Sequence, residues 1–321
     1  MASNDLWALY RIAELYYKKG RTQEEISRDE NISRSQVSRM LDRAKTQGIV
    51  RIEVSLPRDL DDEALEEFLK QNLGLEQVIL APSEPGWKPH RVYDSISRAA
   101  AYNLPRILKG SSVVGVGWGE TLYRFSSVLH SRPVLSGATI VPLMGVSASA
   151  NPYLQVNTIV DRVADNLHAE RFFTNLAIYR EKSVPLTVYE QKRLEALREY
   201  WNKMDSAIFG LGTIDASCKA FDEEVSDASR ERLMNSGAAG EILSQYFYTD
   251  GSQLTYDESY ETNAFPLDDM KKVCRRICLA GGANKAESIL AAARAGYCTV
   301  LISDSMAGRR LYNLVRNEMM E

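Results

Sequence analysis

Near the start of the chain, apolar side chains recur at helical spacing three times in close succession. Leu6, Leu9, Ile12, Ala13 and Tyr16 share one face of a helix over residues 5–19, and Gly20 stops it. A short helix then buries Ile26, the turn Glu30-Asn31-Ile32 sends one apolar residue inward, and a further helix buries Val37, Met40 and Leu41 at i, i+3 and i+4. The last two helix starts each carry a capping box, Thr22 with Glu25 and Ser33 with Gln36, in which a hydroxyl accepts from the third amide while the third side chain reaches back. The pattern predicts a helix-turn-helix.

Past Gly48 the run 49–54 mixes β-branched and charged residues in rough alternation and predicts a short wing strand, with Pro57 ending the module. Residues 58–75 open with Asp59, Asp61, Asp62 and Glu63, favourable at a helix N-terminus, and continue with Leu65, Phe68, Leu69 and Leu73 on one stripe. That stripe suits pairing with a second subunit or packing on the chain's own larger domain, and the pattern alone does not separate the two. From residue 77 onward strand-like segments (78–80, 112–117, 139–144, 207–210, 277–280, 299–303) alternate with helix-like ones. Such alternation predicts a mostly parallel, doubly wound, Rossmann-like α/β sheet covered on both faces. The expected boundaries are a winged helix-turn-helix over 1–56, a linker helix over 57–75 and an effector domain over 76–321.

The exposed face of the second helix of the pair carries Arg34, Ser35, Gln36, Ser38, Arg39 and Arg43, side chains that reach base edges and phosphates when a helix lies in the major groove. Arg34, Ser35, Gln36 and Arg39 lie in its first two turns, where bases are touched; Arg43, Lys45 and Arg51 suit phosphates, which fix register without reading sequence. A merely solvated face is the plainer reading. Charge favours the functional one: residues 31–51 hold five basic side chains to one acidic, although the whole chain carries −4. The basic footprint is local, as expected where one module meets DNA.

In parallel sheets ligands sit beyond the carboxyl ends of the strands, and here four strand ends are rich in glycine. They are Gly115-Val116-Gly117-Trp118-Gly119-Glu120-Thr121, Met144-Gly145-Val146-Ser147, Gly210-Leu211-Gly212 and Ala280-Gly281-Gly282-Ala283-Asn284-Lys285. Glycine lets backbone approach a ligand, free amides at a helix start attract an anion, Thr121 adds a hydroxyl, and Lys285, just inside the following helix, is a natural counter-charge to phosphate. Each alone is an ordinary tight turn; together they predict one crevice. A dinucleotide fingerprint is excluded because Glu120 stands where its third glycine belongs. A hydrolase elbow is excluded because Gly145-Val146-Ser147-Ala148-Ser149 ends in serine.

Composition narrows the class. With 321 residues, 45% hydrophobic and 26% charged, the chain suits one large and one small soluble domain. No secretory signal opens it, so a cytoplasmic location is expected. Cys218, Cys274, Cys278 and Cys298 complete neither a disulfide framework nor a zinc set and are read as small buried residues.

These stretches together resemble the SorC-type bacterial transcriptional regulators, over nearly the whole length. The resemblance is carried by Thr22-Gln23 and Val37-Ser38-Arg39-Met40-Leu41, by the loop 117–121, by residues 210–212 and 237–243, and by residues 280–285. It implies a DNA module, with Thr22 and Gln23 joining the recognition helix at DNA, fused to a sugar-binding domain similar to sugar-phosphate isomerases and deaminases but acting as a sensor. It places the effector's phosphate at Gly119, Thr121 and Lys285, with Glu120 in the same loop. Glu241, read on an apolar helix beside Ile242 and Leu243, stands where many members have an aspartate that meets sugar hydroxyls, and Asn157 matches a polar position near the ligand, unless it only caps the helix that follows. Gly117, Gly145, Ser147 and Gly212 are expected to line the same crevice. The implied protein is a regulator of a carbohydrate or polyol operon, commonly a tetramer, with no cofactor, metal or membrane partner. An unphosphorylated sugar or polyol is the alternative effector. An active isomerase is the competing class, but it needs a positioned acid or base, and His90, His130 and His168 all fall outside the glycine loops.

Overall fold

The computed structural model describes residues 3–50, 60–130, 135–214, 227–255 and 259–320. The chain divides into two compact units, Met1–Pro57 and Arg58–Glu321.

In the first unit α1 (Ser3–Ala13) runs on into a wider helical turn, Glu14–Lys18, and ends at Gly20, whose φ of +66° suits glycine. Leu9, Ile12 and Ala13 pack with Ile26, Val37, Leu41 and Ala44 in a small core. Leu6, expected inward, is exposed, and Met40 is only partly buried because Ala44 completes the stripe one turn later. Both capping boxes form. At α2 (Gln23–Asp29) the Thr22 hydroxyl accepts from the Glu25 amide at 3.2 Å and Glu25 accepts from the Thr22 amide at 2.8 Å. At α3 (Arg34–Thr46) Ser33 and Gln36 do the same at 3.2 and 2.9 Å. Between them Asn31 takes a left-handed conformation and the Ser27 hydroxyl donates to the Ile32 carbonyl, fixing the turn. Most of the wing expected over 49–54 lies outside the described residues; Ile49 and Val50 pack against the module's core.

The second unit is built on a seven-stranded sheet in the order β1 (Gln77–Ala81), β12 (Val300–Asp304), β11 (Arg275–Leu279), β6 (Ser206–Gly210), β2 (Val113–Val116), β3 (Thr139–Pro142), β4 (Glu170–Arg171), and every pairing is parallel. The middles of its central strands, residues 277–279, 207–209 and 113–116, are buried and free of charge because helices cover both faces. The helices α5 (Pro89–Ile107), α6 (Glu120–Val128) and α7 (Val156–Leu167) pack side by side as one layer. In α7, Val156, Ile159, Val160, Val163, Ala164 and Leu167 are buried at regular helical spacing. A second layer contains α4 (Leu60–Leu73), α11 (Ala286–Arg294) and α12 (Ser305–Met320). Strands β2, β3 and β4 advance across the sheet in one direction and β6, β11 and β12 in the other, and right-handed crossovers then place the two sets of helices on opposite faces. The reversal falls between β2 and β6.

The stripe on α4 packs within this unit. Leu69 and Leu73 are buried in the main core, Phe68 stacks on Tyr312 with ring centroids 4.7 Å apart, and Asp62 accepts from the Ser305 hydroxyl at 2.8 Å. Short elements that periodicity did not reveal complete the unit. β5 (Tyr179–Glu181) pairs with β10 (Tyr260–Thr262), and β7 (Gly240–Ile242), β8 (Gln245–Phe247) and β9 (Gln253–Leu254) form an antiparallel sheet of three. They are joined by α8 (Val188–Asn202), α9 (Asp227–Met234) and α10 (Leu267–Met270).

Candidate effector site and nucleic-acid interface

The reversal between β2 and β6 is the place where loops leave in opposite directions and open a crevice. On the β2 side the Gly117 amide donates to the Ile208 carbonyl at 2.9 Å, and a Cβ at Gly117 would stand 2.8 Å from the Leu243 side chain. Gly119 caps α6 with a φ of +123°, open to glycine alone, and donates to the Tyr153 carbonyl at 2.9 Å. On the β6 side Gly212 and Glu241 exchange backbone hydrogen bonds of 2.9 and 3.0 Å. The Lys285 ammonium donates to the Leu211 carbonyl at 2.7 Å. Gly117, Gly212, Glu241 and Lys285 are thus one cluster, with the start of α6 beside it.

Several expectations are corrected here. Glu241 lies on strand β7, not on a helix, and its carboxylate accepts from the Ser244 amide across a hairpin turn in which Leu243 and Ser244 both have positive φ. Burial raises the Glu241 carboxyl above its ordinary range, while the Ser244 amide and the positive charge of Lys285 pull it back down. Lys285 lies at the cap of α11 rather than inside it, in the turn Ala283–Lys285. Glu120 directs its carboxylate along its own helix to Arg124, at 2.9 and 2.7 Å, and Arg124 also reaches Asp94. Asn157 does not cap α7: it sits in the first turn, and both ends of its amide bind the backbone of Thr174, at 2.7 and 3.2 Å. Gly145 is required by packing, since a Cβ would stand 2.6 Å from the Leu176 carbonyl oxygen. The Ser147 hydroxyl accepts from the Ser149 amide at 3.1 Å. Gly145 and Asn157 therefore meet around the segment 174–177, with Ser147 following Gly145 along the same loop, a grouping separate from the Gly117, Gly212, Glu241 and Lys285 cluster. Among the described cysteines, Cys278 and Cys298 are buried but Cys274 is exposed, and Cys218 lies outside the described residues; burial pushes the Cys298 thiol up to about 12.

Sequence reasoning missed Tyr93, whose ring lies 5.7 Å from the Lys285 ammonium, and Asp304. The fully buried Asp304 carboxylate accepts from the Ser83 hydroxyl at 2.6 Å, the Gly282 amide at 2.5 Å and the first amides of α12. Its signal was present: an acid ending an apolar strand directly before a helix is a cap.

In the first unit Arg34, Ser35, Gln36, Arg39 and Arg43 are exposed along α3, Ser38 is partly buried, and Thr22 and Gln23 stand at the start of α2. Gln36 lends its carbonyl oxygen to the capping box, and the Arg39 Nε donates to the Ser35 carbonyl at 3.2 Å. Arg21 pairs with Asp29, and Arg11 with Glu30 at 2.9 Å, so those cations are engaged within the module.

A helix-turn-helix unit followed by an open parallel sheet with a crevice at its switch point defines the class of ligand-controlled DNA-binding proteins. A family model described as "Putative sugar-binding domain" matches residues 60–313. The chain is 30% identical over 311 residues to the deoxyribonucleoside regulator of Bacillus subtilis (strain 168), covering 94% of this chain and 96% of that one. It is 26% identical over 310 residues to the sorbitol operon regulator of Klebsiella pneumoniae, with the same coverage. The crystal structure of the full-length sorbitol operon regulator SorC from Klebsiella pneumoniae superimposes with a TM-score of 0.76 at 25% identity, over 97% of this chain and 99% of that one. The chain belongs to this family, the SorC/DeoR-type transcriptional regulators with a sugar-binding domain. Among the described residues no helix is long and apolar enough to cross a membrane.

Proposed function

We propose that the protein binds operator DNA through α3 and senses a small phosphorylated sugar at the switch point between β2 and β6. The observation that carries this reading is the cluster there: the glycine-capped start of α6, the Lys285 ammonium and the enclosed Glu241 carboxylate stand around one crevice. Free amides and an ammonium suit a phosphate, and a carboxylate suits sugar hydroxyls. On this reading Arg34, Ser35, Gln36 and Arg39 meet bases, with Ser38 on the same face, Arg43 and Lys45 meet phosphates, and Thr22 and Gln23 touch DNA from the preceding helix. The effector shifts the balance between subunit arrangements by its differential affinity for them. The protein then acts in the cytoplasm as a homo-oligomer, a tetramer or dimer, and as a sensor rather than an isomerase.

The relatives support the operon class, being named for a sorbitol operon and for deoxyribonucleosides. An unphosphorylated polyol is the second reading, favoured by one observation: the Lys285 ammonium already has a backbone acceptor in Leu211. Melting curves with matched pairs of sugars and sugar phosphates separate the two. A ligand at a hundred times its Kd adds about 2.7 kcal/mol, which raises the melting temperature by a few degrees. A phosphorylated compound that acts where its parent sugar does not supports the phosphate reading, and the reverse outcome replaces it. Turnover of an added sugar phosphate would overturn the sensor reading.

A further inference from the structure

A second cavity, of about 380 Å³, lies beyond the ends of β1, β12 and β11, on the far side of β11 from the switch point. Its walls carry Trp87, Tyr93, Met306, Glu84, Asn284 and Asp304. Trp87 is held in place on two sides: its indole N–H donates to Glu84 at 3.3 Å, and the Arg91 guanidinium stacks on the ring at 3.8 Å from the centroid. The glycines of the 281–282 turn let that loop close down on Asp304, for a Cβ at Gly281 would stand 2.4 Å from its carboxylate. Asp304 thereby joins the loop after β1, the loop after β11 and the start of α12 into one rigid floor.

The chemistry of this cavity differs from that of the switch point. The ionisable groups lining it are acidic, and no lysine or arginine is among its lining residues. A phosphate there would face Glu84 and Asp304, while the nearest cations stand behind the walls and are engaged there: Arg91 stacks on the Trp87 ring and Lys285 donates to the Leu211 carbonyl. Asp304 shares its charge among four donors and so offers little to a cation either. What remains is a pair of aromatic walls and Met306 for an apolar face, with Glu84 and the Asn284 amide for hydroxyls. Two aromatic walls with a few convergent polar groups are the usual make-up of a site for a small ring. We infer that this cavity is a second ligand site, for an uncharged ring compound bearing hydroxyls, of the size of a monosaccharide or nucleoside. Tyr93 forms the wall nearest Lys285, so the two sites are neighbours without being one. The inference does not rest on a phosphate at the switch point.

Calorimetric titration of the full chain with ribose, glucose, glucitol and uridine tests it. At least one of these neutral probes gives saturable binding to the parent. Ala283→Trp, at an exposed position on the rim, fills the cavity and abolishes that binding, and Trp87→Ala weakens it at least tenfold. Lys285→Ala leaves it in place. Unchanged melting of Ala283→Trp shows that the loss is not unfolding. No saturable binding by any probe, or binding that survives Ala283→Trp, or binding lost in Lys285→Ala, overturns the second site; the last outcome assigns the probe to the switch point instead.

Discussion

At the residue scale, Glu241 and the glycines show how closely the crevice is packed. Because burial raises the Glu241 carboxyl, the folded chain holds that proton more tightly than the unfolded chain does. Stability from this group is therefore present below the ordinary carboxylate range and is lost as pH rises toward the raised value. Glu241→Gln removes the titration, so denaturant unfolding of the variant is expected to lose less stability than the parent as pH rises from acid toward neutral. An identical pH slope in the two proteins would show that Glu241 is not held in this way. Gly145→Ala is expected to destabilise the larger unit by about 1–3 kcal/mol, since the new Cβ meets backbone atoms of Leu176 and Ala177 that cannot swing aside. Gly117→Ala meets only the end of the Leu243 side chain and is expected to cost less, which calorimetric melting of the two variants would rank.

At the element scale, legibility in the sequence followed the length and regularity of the signal. Both capping boxes were readable because a hydroxyl and a glutamate or glutamine three residues on is a local chemical pattern, and both form. The sheet strands were readable as apolar runs alternating with helices. The β7–β8 hairpin was not, because its turn places Leu243 and Ser244, rather than asparagine or glycine, at positions of positive φ. Without a turn signal, Ile242 and Leu243 beside Glu241 looked helical. The two-residue strand β4 and the three-residue pair β5 and β10 are too short to show a period. Of the candidate site, the glycine loops and Lys285 were legible from residue type. The partners of Glu120 and Asn157, and the Asp304 network, depend on contacts across tens to hundreds of residues or on side-chain direction, which spacing does not encode. Ser33→Ala tests the importance of the cap on α3: a loss of about 1 kcal/mol is expected in the stability of the first unit. DNA affinity should fall with it while the melting of the second unit stays fixed.

At the scale of the whole molecule, a chain of net charge −4 can meet DNA only through a local basic surface, and α3 supplies one. Operator affinity is expected to fall steeply with salt. Arg43→Ala should weaken binding to all sequences alike and reduce the slope of log affinity against log salt by about one, whereas Arg39→Ala should relax sequence preference. An Arg43→Ala variant with an unchanged slope would remove Arg43 from the phosphate contacts. The coupling of the two units rests on ligand chemistry in one and affinity in the other, so the decisive measurement reads both at once. An operator fragment selected from a random DNA library would be titrated with the protein, with and without each member of the matched sugar and sugar phosphate pairs. The account predicts that one phosphorylated compound changes DNA affinity by about 5–150-fold, and that Lys285→Ala keeps the affinity for DNA but loses the response. A response to the unphosphorylated partner alone, or an undiminished response in Lys285→Ala, would contradict it.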